Sequence, residues 1–470
     1  MFRTFRSGLA WLATFALALT GMVLLPVASA SAATALNVAP VDPVVRENLT
    51  FTGRFPTSYQ RPAVLQYWSG SIWASLSRVS TTGTGRFSLA TPMRGITTKF
   101  RVVAPKTSRS GSLTTAARSL TPRTPSAILG VLPPVGQTKA GTVGLTPVTA
   151  GFYPKRAGRP VALQRRTSGS WVTINQTTQD ASGRAFFLAS VPAGDTRPYR
   201  AMAAAYRGAA AVSTPWKYPA TWKRAFNDDF SGTALDPAKW AYRLVGERFG
   251  LRQCSESSLQ SVSVSNGQVH LLVEKMTAAE REKTAAQCPS GEFKNGMIGT
   301  AGKFTFKHGV LAARLRFPSS RGQHGSLFAQ PSTTTVVPGN PAVSGAEIDV
   351  AEYFGDGRAD GGFSNVVHWL DKNTAGDPVL TSSGGVHNID QLLPAGAEWS
   401  DAFHVFSVEW TPTQYIFRVD GNETFRTTRG VSRTDEYLIL SLLTSDWELP
   451  ALDTARLNPM SVDWVRAWQL

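Results

Sequence analysis

The first half of the chain repeats itself. Arg61-Pro62, Leu65-Gln66, Trp73 and Gly85-Arg86 recur as Arg159-Pro160, Leu163-Gln164, Trp171 and Gly183-Arg184, every pair 98 positions apart. Matches at one offset across so many positions make residues 34–122 and 123–220 two copies of one module. Within each copy, apolar and polar residues alternate in short runs, as at 161–165 and 171–174, with Gly, Ser and Asp between them. Side chains in a strand point to alternate faces, so this period-2 pattern predicts a small antiparallel β-sandwich of immunoglobulin-like type. The Pro- and Thr-rich stretches SLTPRTPS and STPWKYPATW read as linkers. The repeated Trp is expected to anchor each core, with a sugar platform as the alternative. No His occurs before residue 270, and no catalytic constellation stands in this half, so the modules read as binding or spacing units.

The 470 residues suggest about three domains. Residues 1–33 carry Arg3 and Arg6, an apolar run over 9–27 and small residues at Ala28-Ser29-Ala30, the pattern of a secretory leader. No later run approaches the roughly 18 apolar residues of a membrane span, so the expected product is secreted, extracellular or wall-associated. In such a chain the two cysteines, Cys254 and Cys288, are expected to pair. The net charge of +16 is uneven. Residues 1–220 hold 25 Lys and Arg against 4 Asp and Glu, whereas residues 221–470 hold 23 against 28. A cationic first half outside a cell suits anionic cell-wall polymers or acidic polysaccharides. Nucleic acid is not expected, since no recognition motif occurs, and the chain is expected to be a monomer.

From residue 226 onward aromatic residues and Asp become frequent, and short alternating runs continue with little helical periodicity. Residues 221–470 therefore read as one large β-sandwich or jelly roll. Residues 345–355 read GAEIDVAEYFG and place Glu347, Asp349 and Glu352 within six positions. By spacing alone this is weak. In a strand, however, Glu347 and Asp349 share a face, and one β-bulge within 350–352 brings Glu352 onto the same face. Glycosidic cleavage with retention uses two carboxylates about 5–5.5 Å apart, one attacking the anomeric carbon and one protonating the leaving oxygen. A solvated strand face or a calcium site are the competing readings. The apolar flanks count against the first, and calcium prefers more oxygen ligands in a loop.

GAEIDVAEYFG resembles the E-x-D-x-x-E signature of glycoside hydrolase family 16, the laminarinase-like group. DDFSGTALDPAKW, GMIGTAGKFTFKHGVLAARLRFP, FHVFSVEWTPTQYIFRVDG and MSVDWVRAWQ resemble the family's other strands, so the likeness covers nearly all of residues 226–470. It implies an all-β fold: a concanavalin-like β-jelly-roll sandwich behind the two modules. It also implies a retaining endo-β-glycanase with a polysaccharide substrate, a β-1,3- or β-1,3-1,4-glucan. Glu347 would be nucleophile, Asp349 the supporting carboxylate and Glu352 the general acid/base. His368 and Trp369 match cleft positions, and Trp447 is a sugar-stacking candidate. Where the family has W-P-A-x-W, this chain has HGSLFAQP, so His324 and Phe328 replace tryptophans beside the catalytic strand and put a plain laminarin specificity in doubt. No cofactor is required; a structural calcium on the outer face is common in the family, with Asp463 as the candidate ligand. A non-catalytic glycan binder, a transglycosylase and a β-galactanase are the alternatives on the same fold.

Overall fold

The computed structural model describes residues 34–135, 145–191, 195–218, 222–244 and 251–469; the expected leader lies outside them. The chain divides into two compact units, one up to Pro122 and one from Arg123, with the division inside SLTPRTPS.

In the first unit, strands Asn37–Ala39, Asn48–Arg54 and Arg86–Pro92 form one sheet. Pro62–Trp68, Trp73–Ser80 and Thr98–Ala104, with two short strands, form the other. Alternation sends Leu49, Phe51, Leu65 and Phe100 into a common core. Residues 126–213 repeat the arrangement, with Leu129, Val148, Leu163 and Tyr199 in the core.

The repeated residues now have physical reasons. Arg61 is buried and donates to the carbonyls of Ala104, Pro105 and Gly111 at 3.1, 2.6 and 2.9 Å. Arg159 does the same for Ala204 and Ala210 at 2.8 and 2.6 Å. Each arginine thus satisfies loop carbonyls that burial would otherwise leave unpaired, at roughly 1–3 kcal/mol apiece. Gly85 and Gly183 sit at φ 79° and 82°, where a Cβ would lie 2.1 Å from the Phe55 carbonyl oxygen and 2.7 Å from that of Phe152. Trp73 and Trp171 depart from expectation. Both are only half-buried and neither belongs to a core cluster, because each lies on the outer face of its sheet.

The second Pro-rich stretch is not a free linker. Trp222 Nε1 donates to the Val131 carbonyl at 2.9 Å. Leu132 and Val135 join Val310, Ala312, Val405, Trp464 and Trp468 in one apolar cluster. Arg184 pairs with Glu423 at 3.0 Å. The second module is therefore packed on the outer face of a jelly-roll sheet, and the two fold as one compact unit.

The remaining residues form a β-jelly-roll sandwich. One sheet runs through Val262–Ser265, Gln268–Leu271, Met460–Gln469, Gly309–Arg316, His404–Trp410, Tyr415–Val419 and Asn422–Thr427. The other runs through Ala241–Tyr242, Phe293–Gly299, Glu436–Leu443, His324–Pro331, Glu347–Tyr353, Phe363–Lys372 and Pro378–His387. Their facing side chains, among them Phe317, Leu327, Ile348, Val367, Phe406 and Leu440, make the core. Cys254 and Cys288 form the expected disulfide. It closes the loop beside Gln253 and Cys254, whose backbone N–H groups donate to the Asp446 carboxylate at 2.8 and 3.0 Å.

Candidate active site

The acidic strand Glu347–Tyr353 lies between His324–Pro331 and Phe363–Lys372. Both ladders lose register at the same place. On one side Leu327 faces Ala351 and Phe328 faces Asp349; on the other Val366 faces Asp349 and Ser364 faces Glu352. Each gap contains one extra residue on the acidic strand, so a bulge occupies Val350-Ala351. It carries Glu352 to the face already held by Glu347 and Asp349. All three carboxylates line one cavity of about 260 Å³, with Ser326, Phe328, Gln330, Arg243, Arg252 and Ser441 among its other walls.

Each acid has a different environment. Glu347 is half-buried and accepts a short hydrogen bond from Gln330 Nε2. Gln330 Oε1 accepts in turn from Arg243 Nη2 at 2.9 Å and Tyr437 OH at 3.0 Å, so a three-residue brace aims the amide at Glu347. Asp349 is 4% exposed, with His368 Nε2 at 3.5 Å. Burial, then the charges of Glu352 and Glu347, push its carboxyl well above the usual range, because each disfavours the charged form. Glu352 accepts from Ser364 Oγ at 3.0 Å and lies 2.9 Å from His324 Nε2. Burial works to raise it, but the His324 bond and charge and the Ser364 hydroxyl outweigh burial and hold it low. His324 is raised: its burial opposes the charged imidazolium, but Glu352 on one nitrogen and Glu448, 3.9 Å from the other, outweigh that.

The sequence-predicted residues divide. His324, Phe328 and His368 stand with the acids: His324 and Phe328 on the cavity wall, His368 beside Asp349. Trp447 is 56% exposed and lies 6.2 Å from the Phe354 ring, which in turn packs 4.3 Å from His324, forming an aromatic rim. Trp369, like His368, borders the space beyond Glu347. It is 5% exposed, its ring lies against Gly430, and its N–H donates to Asp371 at 3.1 Å, so it meets that space from a packed position. Asp463 needs correction, because its carboxylate is taken by Arg314 Nη1 at 2.6 Å. A guanidinium in that position competes directly with a cation, and the residues present do not fit calcium there. Among the described residues the one cluster of three metal-ligating side chains is Glu347, Asp349 and His368, with ligand atoms within 4.8 Å. Two carboxylates and an imidazole on a strand face fall short of the six to eight oxygens calcium prefers.

Gln330, Ser326, Arg243, Tyr437, Arg252 and Glu448 were missed. Period-2 alternation from His324 through Phe328 contains the signal for Ser326 and Gln330. The others come from distant segments and carry no local signal. Ser441 Oγ and the Nε atoms of Arg243 and Arg252 are buried in or beside the cavity without a partner among the described residues, which suits a hydroxyl-rich ligand. A second cavity of about 460 Å³ continues past Glu347, walled by Gln330, Pro331, Val336, Ser344 and Leu380. The loop over 331–344 therefore borders the extended cleft.

Residues 254–466 match the family model described as Glycosyl hydrolases family 16. These residues form a laminarinase-like family 16 domain. Over 215 residues the chain is 30% identical to Glucan endo-1,3-beta-glucosidase A1 of Niallia circulans, covering 43% of this chain and 29% of that protein. It is 26% identical over 210 residues to a Beta-glucanase of Rhodothermus marinus, covering 44% of this chain and 65% of the relative. The chain thus spans less than two thirds of the length of either relative. Among solved structures, the laminarinase catalytic domain from Thermotoga maritima aligns over 53% of this chain and 98% of its own, at 20% identity and a TM-score of 0.42.

Proposed function

We propose that the family 16 domain is an endo-acting β-glycan hydrolase working by double displacement, with β-1,3- or mixed-linkage glucan as substrate. The observation that carries this reading is the bulge that puts three carboxylates on one cavity wall. Glu347, aimed by Gln330, attacks the anomeric carbon as the glycosidic bond breaks. The proton that His324 shares with Glu352 passes through Glu352 to the leaving oxygen. Water then attacks the glycosyl–Glu347 ester while its proton returns through Glu352 to His324, which releases the sugar and restores Glu347 and the pair. Asp349, raised by burial and then by Glu352 and Glu347, resists adding a third charge to the site. The exposed Trp447 suits the C–H face of a pyranose, and likeness to a glucan endo-1,3-beta-glucosidase and a beta-glucanase favours a glucan over a galactan. The basic, A-x-A-terminated start of the chain supports action outside the cell.

Glu347→Gln keeps the Gln330 contact region and removes the nucleophile. Reducing-sugar release from laminarin should fall by at least a thousandfold with the melting curve unchanged. Hydrolysis at the parent rate would sink the assignment, and release from a β-galactan but not from laminarin would move the substrate.

A further inference from the structure

Each repeated module carries the same polar–aromatic assembly on the outer face of its larger sheet. In the first, Arg101 lies 4.1 Å above the Trp73 ring and its Nε donates to Gln66 Oε1 at 2.9 Å. In the second, Arg200 lies 4.3 Å above Trp171 and its Nε donates to Gln164 Oε1 at 2.8 Å. Cross-strand pairing sets both, since Gln66 faces Arg101 and Gln164 faces Arg200. A second aromatic stands edge-on beside each tryptophan: Trp68 at 5.5 Å and Trp216 at 6.5 Å. These two are 38% and 51% exposed.

The two second aromatics come from different places. The repeat counterpart of Trp68 is Arg166, and that of Trp216 is Arg118. Both modules therefore hold a paired aromatic beside the Gln–Arg–Trp assembly although the residue that supplies it has changed. Core packing does not explain this, because none of these residues belongs to either core cluster. Leaving large aromatic area in water is unfavourable, at about 25 cal/mol per Å².

The chemistry points to a ligand. Indole on one face and a glutamine oxygen at Nε fix the guanidinium plane, so its Nη edge is a preset two-donor fork. No acidic side chain pairs with Arg101 or Arg200 among the described residues. Residues 34–220 contain only four acids, Asp42, Glu47, Asp180 and Asp195, against 23 Lys and Arg. A planar fork that lacks an anion suits a carboxylate or sulfate ester, and adjacent exposed rings suit a sugar's C–H face.

We propose that these two faces, Gln66–Arg101–Trp73 with Trp68 and Gln164–Arg200–Trp171 with Trp216, are binding sites for an anionic polysaccharide. The sites are separate from the cleft and do not depend on its chemistry.

Affinity electrophoresis of the full chain through gels holding polygalacturonate, dextran sulfate or neutral laminarin tests this, at low and high salt. The parent should be retarded by the acidic polymers, less so at high salt. The carboxylate and sulfate arms tell which anion the forks prefer. Arg101→Gln with Arg200→Gln should weaken retardation about tenfold or more, and Arg101→Lys with Arg200→Lys should restore only part, since a point charge lacks the fork. Trp68→Ala with Trp216→Ala, at exposed positions that the folded core does not use, should weaken it several-fold. The proposal fails if the double Arg→Gln variant is held like the parent, if the parent is not held by either acidic polymer, or if only laminarin retards it.

Discussion

His324→Gln separates a proton-holding role of this imidazole from a packing one. In the parent protein Nε2 lies 2.9 Å from Glu352 Oε1. Glu352 is held low and His324 is raised, so the proton the pair shares rests on the imidazole. Glutamine keeps an N–H donor of similar reach but has no proton to give. A hydrogen bond to a charged group contributes about 1.5–3 kcal/mol, and each 1.36 kcal/mol is a factor of ten. The variant should therefore hold the catalytic proton about ten- to a hundredfold more weakly. The first step needs that proton on the pair, so the basic limb of kcat/KM moves to lower pH. Above both limbs the variant is slower by that factor; below them it approaches the parent. Arg252 and Glu448 also face the imidazole and stay in place. The assay is initial reducing-sugar release from laminarin at low substrate, from acidic to alkaline pH. A loss of equal size at every pH, or a limb that moves up, would refute the shared-proton reading.

Three further outcomes follow from the same structure. Burial pushes Glu436 up to about 8. Its folded pKa is raised, so folding takes up a proton between the unfolded carboxylate range and pH 8, and stability falls as pH rises across that window. Glu436→Gln keeps an acceptor for Ser432 and should be more stable than the parent at pH 9 by about 3–5 kcal/mol; equal denaturation midpoints at pH 9 would contradict this. The Cys254–Cys288 bridge spans 34 residues, worth about 4 kcal/mol in the loop-entropy account, so reduction should lower the domain's Tm by roughly 8–16 °C, and an unmoved Tm counts against it. Asp349→Asn removes a carboxyl crowded by Glu347 and Glu352; activity should fall while stability rises on the order of 1 kcal/mol, checked by paired assays and melts.

Sequence pattern reached furthest where side-chain parity decides the answer. It placed Glu347 and Asp349 together, required a bulge for Glu352, and found the repeat. It failed where partners come from distant segments. Arg314 claims Asp463, and the brace on Glu347 runs through Arg243 and Tyr437. The repeated tryptophans misled because tryptophan is common in cores, and only the cross-strand Gln and Arg reveal an outer face. The supposed second linker misled because Pro and Thr signal irregular backbone, not freedom; Trp222, at its end, is docked.

The bulge at Val350-Ala351 also has a genetic meaning. Loss of one codon there would shorten the spacing from Glu347 to Glu352 from five residues to four, an even number that a regular strand already places on one face. The bulge and its extra codon are therefore a matched pair, and removing both leaves the three carboxylates together on the cavity wall. The strand can gain or lose that codon without turning an acid into the core.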